Sequence, residues 1–204
     1  GGLQSAGGAD LIILPGSKNV IDDLTWLLQQ GWEHYLSRHL RYGGKLIGIC
    51  GGLQMLGSTI TDPQSIESSQ TETAGLGYLD LTTKLKPAKT LRRCSGTLFG
   101  TTSVSGYEIH HGASSGTAFS RPIIKTSEGN EGAMSEDGQI IATYWHGLFD
   151  DQKACDSLLG WAGLNSDHRS PDQATLRQGS LNRLADCIEA HLDWSLLDEL
   201  LGLN

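Results

Sequence analysis

Residues 45–58, KLIGICGGLQMLGS, constrain the fold of this chain more than any other stretch. Lys45 to Ile49 form an apolar run of β-type residues, closed by Cys50 and followed at once by Gly51 and Gly52. Beyond the glycines the pattern changes: Leu53, Met55 and Leu56 are spaced as in a short helix that stops at Gly57. The order encodes a strand, a sharp turn and a helix, with a thiol at the turn. Gly48, Cys50 and Gly52 reproduce the pattern G-x-nucleophile-x-G, with sulfur in place of a hydroxyl. Glycine is required on both sides because a Cβ there would meet the neighbouring strand or helix. The first helical N–H groups and the positive end of the helix point at the sulfur, and both are expected to lower its pKa. The competing reading is a buried structural cysteine at a strand end, since free Cys is among the most buried residue types.

The segments on either side extend this unit. Residues 10–15, DLIILP, read as a buried strand closed by proline and running into the turn Gly16-Ser17-Lys18-Asn19. Open parallel α/β sheets place their ligands at such carboxyl ends of strands. Asn19 or Ser17 caps a helix over 20–30, a second helix follows over 32–42, and Gly43-Gly44 stops it before the strand at 45–50. Strand, helix and strand in this order make a right-handed βαβ unit with parallel strands. Residues 59–74 are polar and turn-rich and are expected to form a surface loop. Shorter β-like segments follow at 76–86, 90–99, 104–111 and 123–126. Residues 131–149 read as a hairpin with Asp137-Gly138 at its turn and 139–144 as the returning strand. The chain then turns helical over 151–162, 173–192 and 195–201, with Leu176, Leu181, Leu184, Ile188 and Leu192 on one face. Residues 1–9 are small and polar, the pattern of a frayed end or linker remnant, and residues 10–204 read as one domain. The fold class is α/β: a flavodoxin-like open sheet, mainly parallel, with an antiparallel extension and C-terminal helices.

At 204 residues the chain can build a substantial core, and a net charge of −8 argues against nucleic acid or an anionic membrane as the main partner. Cys50, Cys94, Cys155 and Cys187 are widely spaced with no C-x-x-C, which suits a reducing cytoplasm and predicts no metal site. A reactive thiol needs a base, and seven histidines compete for that role. His146 closes the strand at 140–145 and precedes Gly147, so it stands at a second strand end on the edge where Cys50 lies. His110 and His111 are the next pair. Adjacent strand residues face opposite ways, so at most one of them should point into the site. His34 and His39 read as solvated helix face, and His168 and His191 carry no visible acid–base context.

In this order GICGGLQMLG, VSGYEIHHG and ATYWHGLFD resemble the type 1 glutamine amidotransferase domains. Within them, GYEIHHG, HGLFD and the AHLDW tail are most similar to the C-terminal glutaminase domain of cobyric acid synthases, with the likeness covering residues 10–201. The resemblance implies that Cys50 attacks the side-chain amide of glutamine and that His146 is the base. It implies further that backbone N–H groups of Gly51 and of Gly16 or Ser17 hold the oxyanion. Gln54 matches a substrate-contacting position, and Tyr107, Glu108 and His110 should flank the same pocket. The released ammonia would pass to an ATP-dependent domain that amidates a corrinoid, cobyrinic acid a,c-diamide, in cobalamin biosynthesis. ATP and Mg are expected on that ligase domain and no cofactor in this one.

Two departures stand out. Leu148 occupies the position where most type 1 amidotransferases carry a Glu that orients the base, leaving Glu108 or Asp150 as candidate orienters. The ligase portion and an opening strand expected before Asp10 are not in the chain, which therefore reads as a fragment of a longer enzyme. Other readings are the glutaminase subunit of another amidating ligase, such as the peptidoglycan-amidating type, or a non-catalytic flavodoxin-like binding or redox module.

Overall fold

The first apolar run forms strand β1 (Leu11–Leu14), and Asn19 caps the next helix, its side-chain oxygen accepting the N–H of Asp22. That helix, α1 (Val20–Gln29), buries Val20, Ile21 and Leu24. It is followed by α2 (Trp32–Arg41), which Gly43 ends at φ 85°. Strand β2 (Lys45–Ile49) and helix α3 (Gly51–Leu56) flank Cys50. His39 is more than solvated helix face. Its Nε2 lies 2.8 Å from the Lys45 carbonyl oxygen and ties α2 to the start of β2. The computed structural model describes residues 8–165, 167 and 169–202, so most of the linker remnant and His168 lie outside the described residues.

Residues 59–74 differ from expectation. They begin and end in strands β3 (Thr59–Thr61) and β4 (Glu72–Ala74), paired antiparallel, and only the stretch between is loop. The segments read as separate short strands at 76–86 and 90–99 fuse into β5 (Thr82–Leu98), which pairs antiparallel with β6 (Thr102–Ser115). The register shifts between Leu85 and Thr90, where Pro87 has no N–H to give the ladder. Strands β7 (Ile124–Thr126) and β8 (Gly129–Glu131) form a small hairpin against β5. The predicted hairpin is present as β9 (Ala133–Met134) and β10 (Ile140–Thr143), followed by β11 (Trp145–His146) and helix α4 (Gln152–Trp161). Helices α5 (Gln173–His191) and α6 (Trp194–Leu201) complete the chain.

Two sheets result. The first runs β1-β2-β10-β9, with β2 parallel to both β1 and β10 and only β9 reversed. The second runs β11-β6-β5-β3-β4 and supplies the antiparallel extension. Both faces of β2 are covered, as parallel strands require. Leu46 packs with Leu36, Leu53 and Leu56, while Ile47 packs on the other side with Trp145 and Leu158. Each of these side chains is buried almost completely, and burying a Leu or Ile is worth about 1.5–3 kcal/mol. The C-terminal helices contrast with this. The apolar face of α5 exists, but Leu176, Leu181, Leu184 and Ile188 are each about half exposed and the helix buries no residue.

The turn after β2 depends on close backbone approach. A Cβ on Gly52 would run into the Leu14 carbonyl, and one on Gly48 would lie 2.8 Å from the Gly52 oxygen. Gly160, in contrast, lies in α4 with open space around it. Gly52→Ala should therefore cost about 3 kcal/mol or abolish soluble expression. Gly160→Ala should stabilise by about 0.5–1 kcal/mol, the ordinary gain from removing a helical glycine. Urea unfolding of the two variants checks this: if Gly52→Ala unfolds like the parent, the turn does not depend on close backbone approach at Gly52.

Candidate active site

Parallel pairing brings three strand ends to one level. The turn at Gly16 and Ser17 follows β1, Cys50 follows β2, and Trp145-His146 follow β10 by two residues. The Cys50 N–H donates to the Thr143 carbonyl at 2.8 Å, so β10 continues to hold β2 at the turn itself. Cys50 takes φ 53° and ψ −106°, a conformation that costs a non-glycine residue on the order of 1–3 kcal/mol. Such strain persists only where surrounding contacts impose it, and it turns the side chain out of the sheet toward a cavity of about 480 Å³.

Gly16, Ser17, Cys50, Gln54, His110 and His146 all line this cavity. Gly16 makes room for the thiol and the imidazole together. A Cβ there would sit 2.9 Å from His146 Cε1 and 3.8 Å from Cys50 Cβ. One for Gly51 would sit 2.8 Å from the Ser17 nitrogen, so the elbow and the β1 turn are in direct contact. Gln54 is buried, and its Nε2 donates to the Tyr144 hydroxyl at 3.4 Å. The other two expected substrate contacts are set back from the cavity wall. Tyr107 stacks on the His146 ring with centroids 5.1 Å apart, and Glu108 lies behind His110. Both His110 and His111 contribute to the wall, against the alternation rule, at the point where β5 loses register opposite them.

The electrostatics correct one expectation. Burial raises the Cys50 thiol to about 11, outweighing the Gly51 N–H that favours the thiolate. Helix α3 has only six residues, and its dipole is too weak to compensate for lost solvation. The resting thiol is therefore neutral and donates to the Ile109 carbonyl at 3.5 Å. His146 is shifted the other way: burial, then the nearby His110, lower its pKa and leave it neutral and able to accept a proton. Its Nε2 is buried with no hydrogen-bond partner among the described residues.

Neither candidate orienter reaches His146. Burial would raise Glu108, but hydrogen bonds from His110 at 2.7 Å and Arg92 at 2.7 Å outweigh it and hold the carboxylate below its ordinary range. Asp150 is largely exposed and faces Arg177 at 3.9 Å. Leu148 is buried in the apolar cluster with Ile47 and Trp145, where a carboxylate would lose its solvation. The His146 ring is held by stacking on Tyr107 and by the close fit against Gly16. Sequence reasoning also passed over Lys18, Glu67 and Lys89, which line the same cavity. Lys18 follows directly on the Gly16-Ser17 turn, and Glu67 lies in a segment that reads only as polar loop.

These features are those of a glutamine amidotransferase. A solved structure described as the crystal structure of a glutamine amidotransferase matches with a TM-score of 0.60 at 17% identity. The match covers 77% of this chain and 81% of that one, and it establishes the fold. The structure of PurLQS from Thermotoga maritima is also similar, at 15% identity over 72% of this chain and 71% of that one, with a TM-score of 0.48. Residues 3–154 match the CobB/CobQ-like glutamine amidotransferase domain, and the chain belongs to that family.

A thiol held neutral by burial has a distinct pH signature. Alkylation of Cys50 by iodoacetamide should accelerate about tenfold per pH unit from pH 8 to beyond pH 10, because the thiolate fraction keeps rising until the pKa near 11 is reached. The exposed Cys187 serves as the internal comparison. Peptide-resolved mass spectrometry measures both rates, and a plateau for Cys50 at or below pH 8 overturns the assignment of a neutral resting thiol.

Proposed function

We propose that this chain is the glutaminase domain of a cobyric acid synthase, acting with an ATP-dependent domain that amidates a corrinoid. The observation that carries the chemistry is the placing of a free thiol on a strained backbone and a neutral imidazole on one cavity wall around Gly16. Glutamine binding moves the thiol off the Ile109 carbonyl, and His146 takes its proton as sulfur bonds to the amide carbon. The carbonyl oxygen becomes an oxyanion, with N–H groups of Gly51 and of Gly16 or Ser17 as its donors. His146 returns the proton to nitrogen, the C–N bond breaks and ammonia leaves, and a glutamyl thioester remains on Cys50. Water deprotonated by His146 then adds to the thioester and releases glutamate and the free thiol.

Support for the corrinoid assignment comes from GYEIHHG, HGLFD and the AHLDW tail. ATP and Mg would act on the ligase domain, in the cytoplasm. No helix among the described residues is long and apolar enough to cross a membrane.

In the full-length enzyme, Cys50→Ala should abolish glutamine-dependent amidation of cobyrinic acid a,c-diamide while ammonia-dependent amidation continues. An electrophilic glutamine analogue should modify Cys50 and leave Cys94, Cys155 and Cys187 intact, as read by mass spectrometry. Labelling of any other cysteine, or loss of both activities in Cys50→Ala, removes this reading. His146→Asn should lower kcat for glutamate release by about 10²–10⁴-fold with little change in glutamine binding.

Coupling should also be visible. Glutamate release by this chain alone should be slow, since a donor displaced by about 1 Å costs on the order of 10²-fold. Supplying the ligase domain should raise kcat more than it changes KM. Equal rates with and without that domain would mean the site is preorganised by itself.

A further inference from the structure

The rim of the catalytic cavity carries charges that the reaction at Cys50 does not use. Lys18 and Lys89 are exposed at the rim and form no ion pair among the described residues. Glu67 stands beside them, half-buried. Its placement is built in. Asp62 is fully buried and accepts the N–H groups of Ile66 and Glu67, each at 2.8 Å, and of Ser68 at 3.1 Å. This clamps the loop around a single carboxylate. Glu67 Oε2 then accepts the Val20 N–H at 2.9 Å, which docks the loop on the start of α1. Oε1 has no hydrogen-bond partner among the described residues, so one oxygen of a rigidly held carboxylate is left free at the cavity.

We propose that Glu67 binds the α-ammonium group of the substrate glutamine and that Lys18 and Lys89 bind its α-carboxylate. The assignment rests on the glutaminase reading and deepens it. Free glutamine is a zwitterion at the end opposite its reacting amide, and the cavity has the same polarity: amide chemistry at buried Cys50 and both signs of charge at the rim. An anionic ligand such as a phosphate would suit the lysines but be repelled by Glu67, whereas an amino acid uses all three. Burial holds the Glu67 carboxyl above its ordinary pKa, so an incoming ammonium restores the solvation its charge has lost.

Substrates trimmed at one end provide the test, with ammonia release by the full-length protein as the common readout. Glutaramate lacks the α-ammonium, and 4-aminobutanamide lacks the α-carboxylate. Glu67→Gln keeps an oxygen to accept the Val20 N–H and removes only the charge. It should lower kcat/KM for glutamine about 10–100-fold, mainly through KM, and change that for glutaramate less than about twofold. Lys18→Met with Lys89→Met should penalise glutamine and spare 4-aminobutanamide in the same way. If Glu67→Gln lowers glutamine and glutaramate equally, Glu67 only holds the loop and the assignment is overturned. If the unaltered protein releases ammonia from none of the three amides and a glutamine analogue leaves Cys50 unmodified, the glutaminase reading falls and takes the assignment with it.

Discussion

Parallel pairing of β2 between β1 and β10 is the constraint on which the rest of the site depends. Parallel strands all end on the same edge, so three turns distant in sequence are delivered to one place. Residues 16–17, 50 and 146 would be unrelated on the unfolded chain; the register Leu14↔Gly48 and Ala142↔Gly48 makes them neighbours. The Cys50 N–H to Thr143 carbonyl bond carries the pairing one residue past the end of β2. After Tyr144 the chain leaves this sheet and joins the second one, where His146 pairs with Tyr107. His146 therefore sits at the seam between two sheets and is positioned by both.

Burial sets the chemical character of this site. The same close packing that holds the elbow keeps water from the sulfur and raises its pKa, which a short six-residue helix cannot reverse. A neutral thiol and a neutral imidazole share this cavity, so under the proposed mechanism proton transfer would belong to the reaction step. A buried Leu148 fits this design, because an ionised group behind His146 would need solvation that the apolar cluster does not offer. Carboxylates appear instead where they can be partnered: Glu108 between His110 and Arg92, and Asp62 beneath three backbone N–H groups.

Helix α5 shows a periodic pattern without a core. Its leucines recur on one face as the sequence predicts, yet that face remains half exposed. Periodicity shows that a helix has an apolar side, but only tertiary contacts decide whether that side is buried.

The sequence alone determined the local devices: the strand–Cys–Gly-Gly–helix elbow, the Asn19 cap, the Asp137-Gly138 turn and the placing of His146 at a strand end. Each depends on residues a few positions apart, and steric and hydrogen-bonding rules act at that range. Tertiary structure decided what depends on distant parts meeting. The β-structure at 59–61 and 72–74 required β5 as a partner, His39 found the Lys45 carbonyl, and both His110 and His111 reached the cavity because β5 lost register at Pro87. Solvation decided the charge state of Cys50, and it is a property of everything packed around the sulfur rather than of the two glycines beside it. Glu67 meets the cavity for the same reason: a clamp made by Asp62 turns a polar loop into part of the wall, and nothing within the loop's own pattern says where that wall stands.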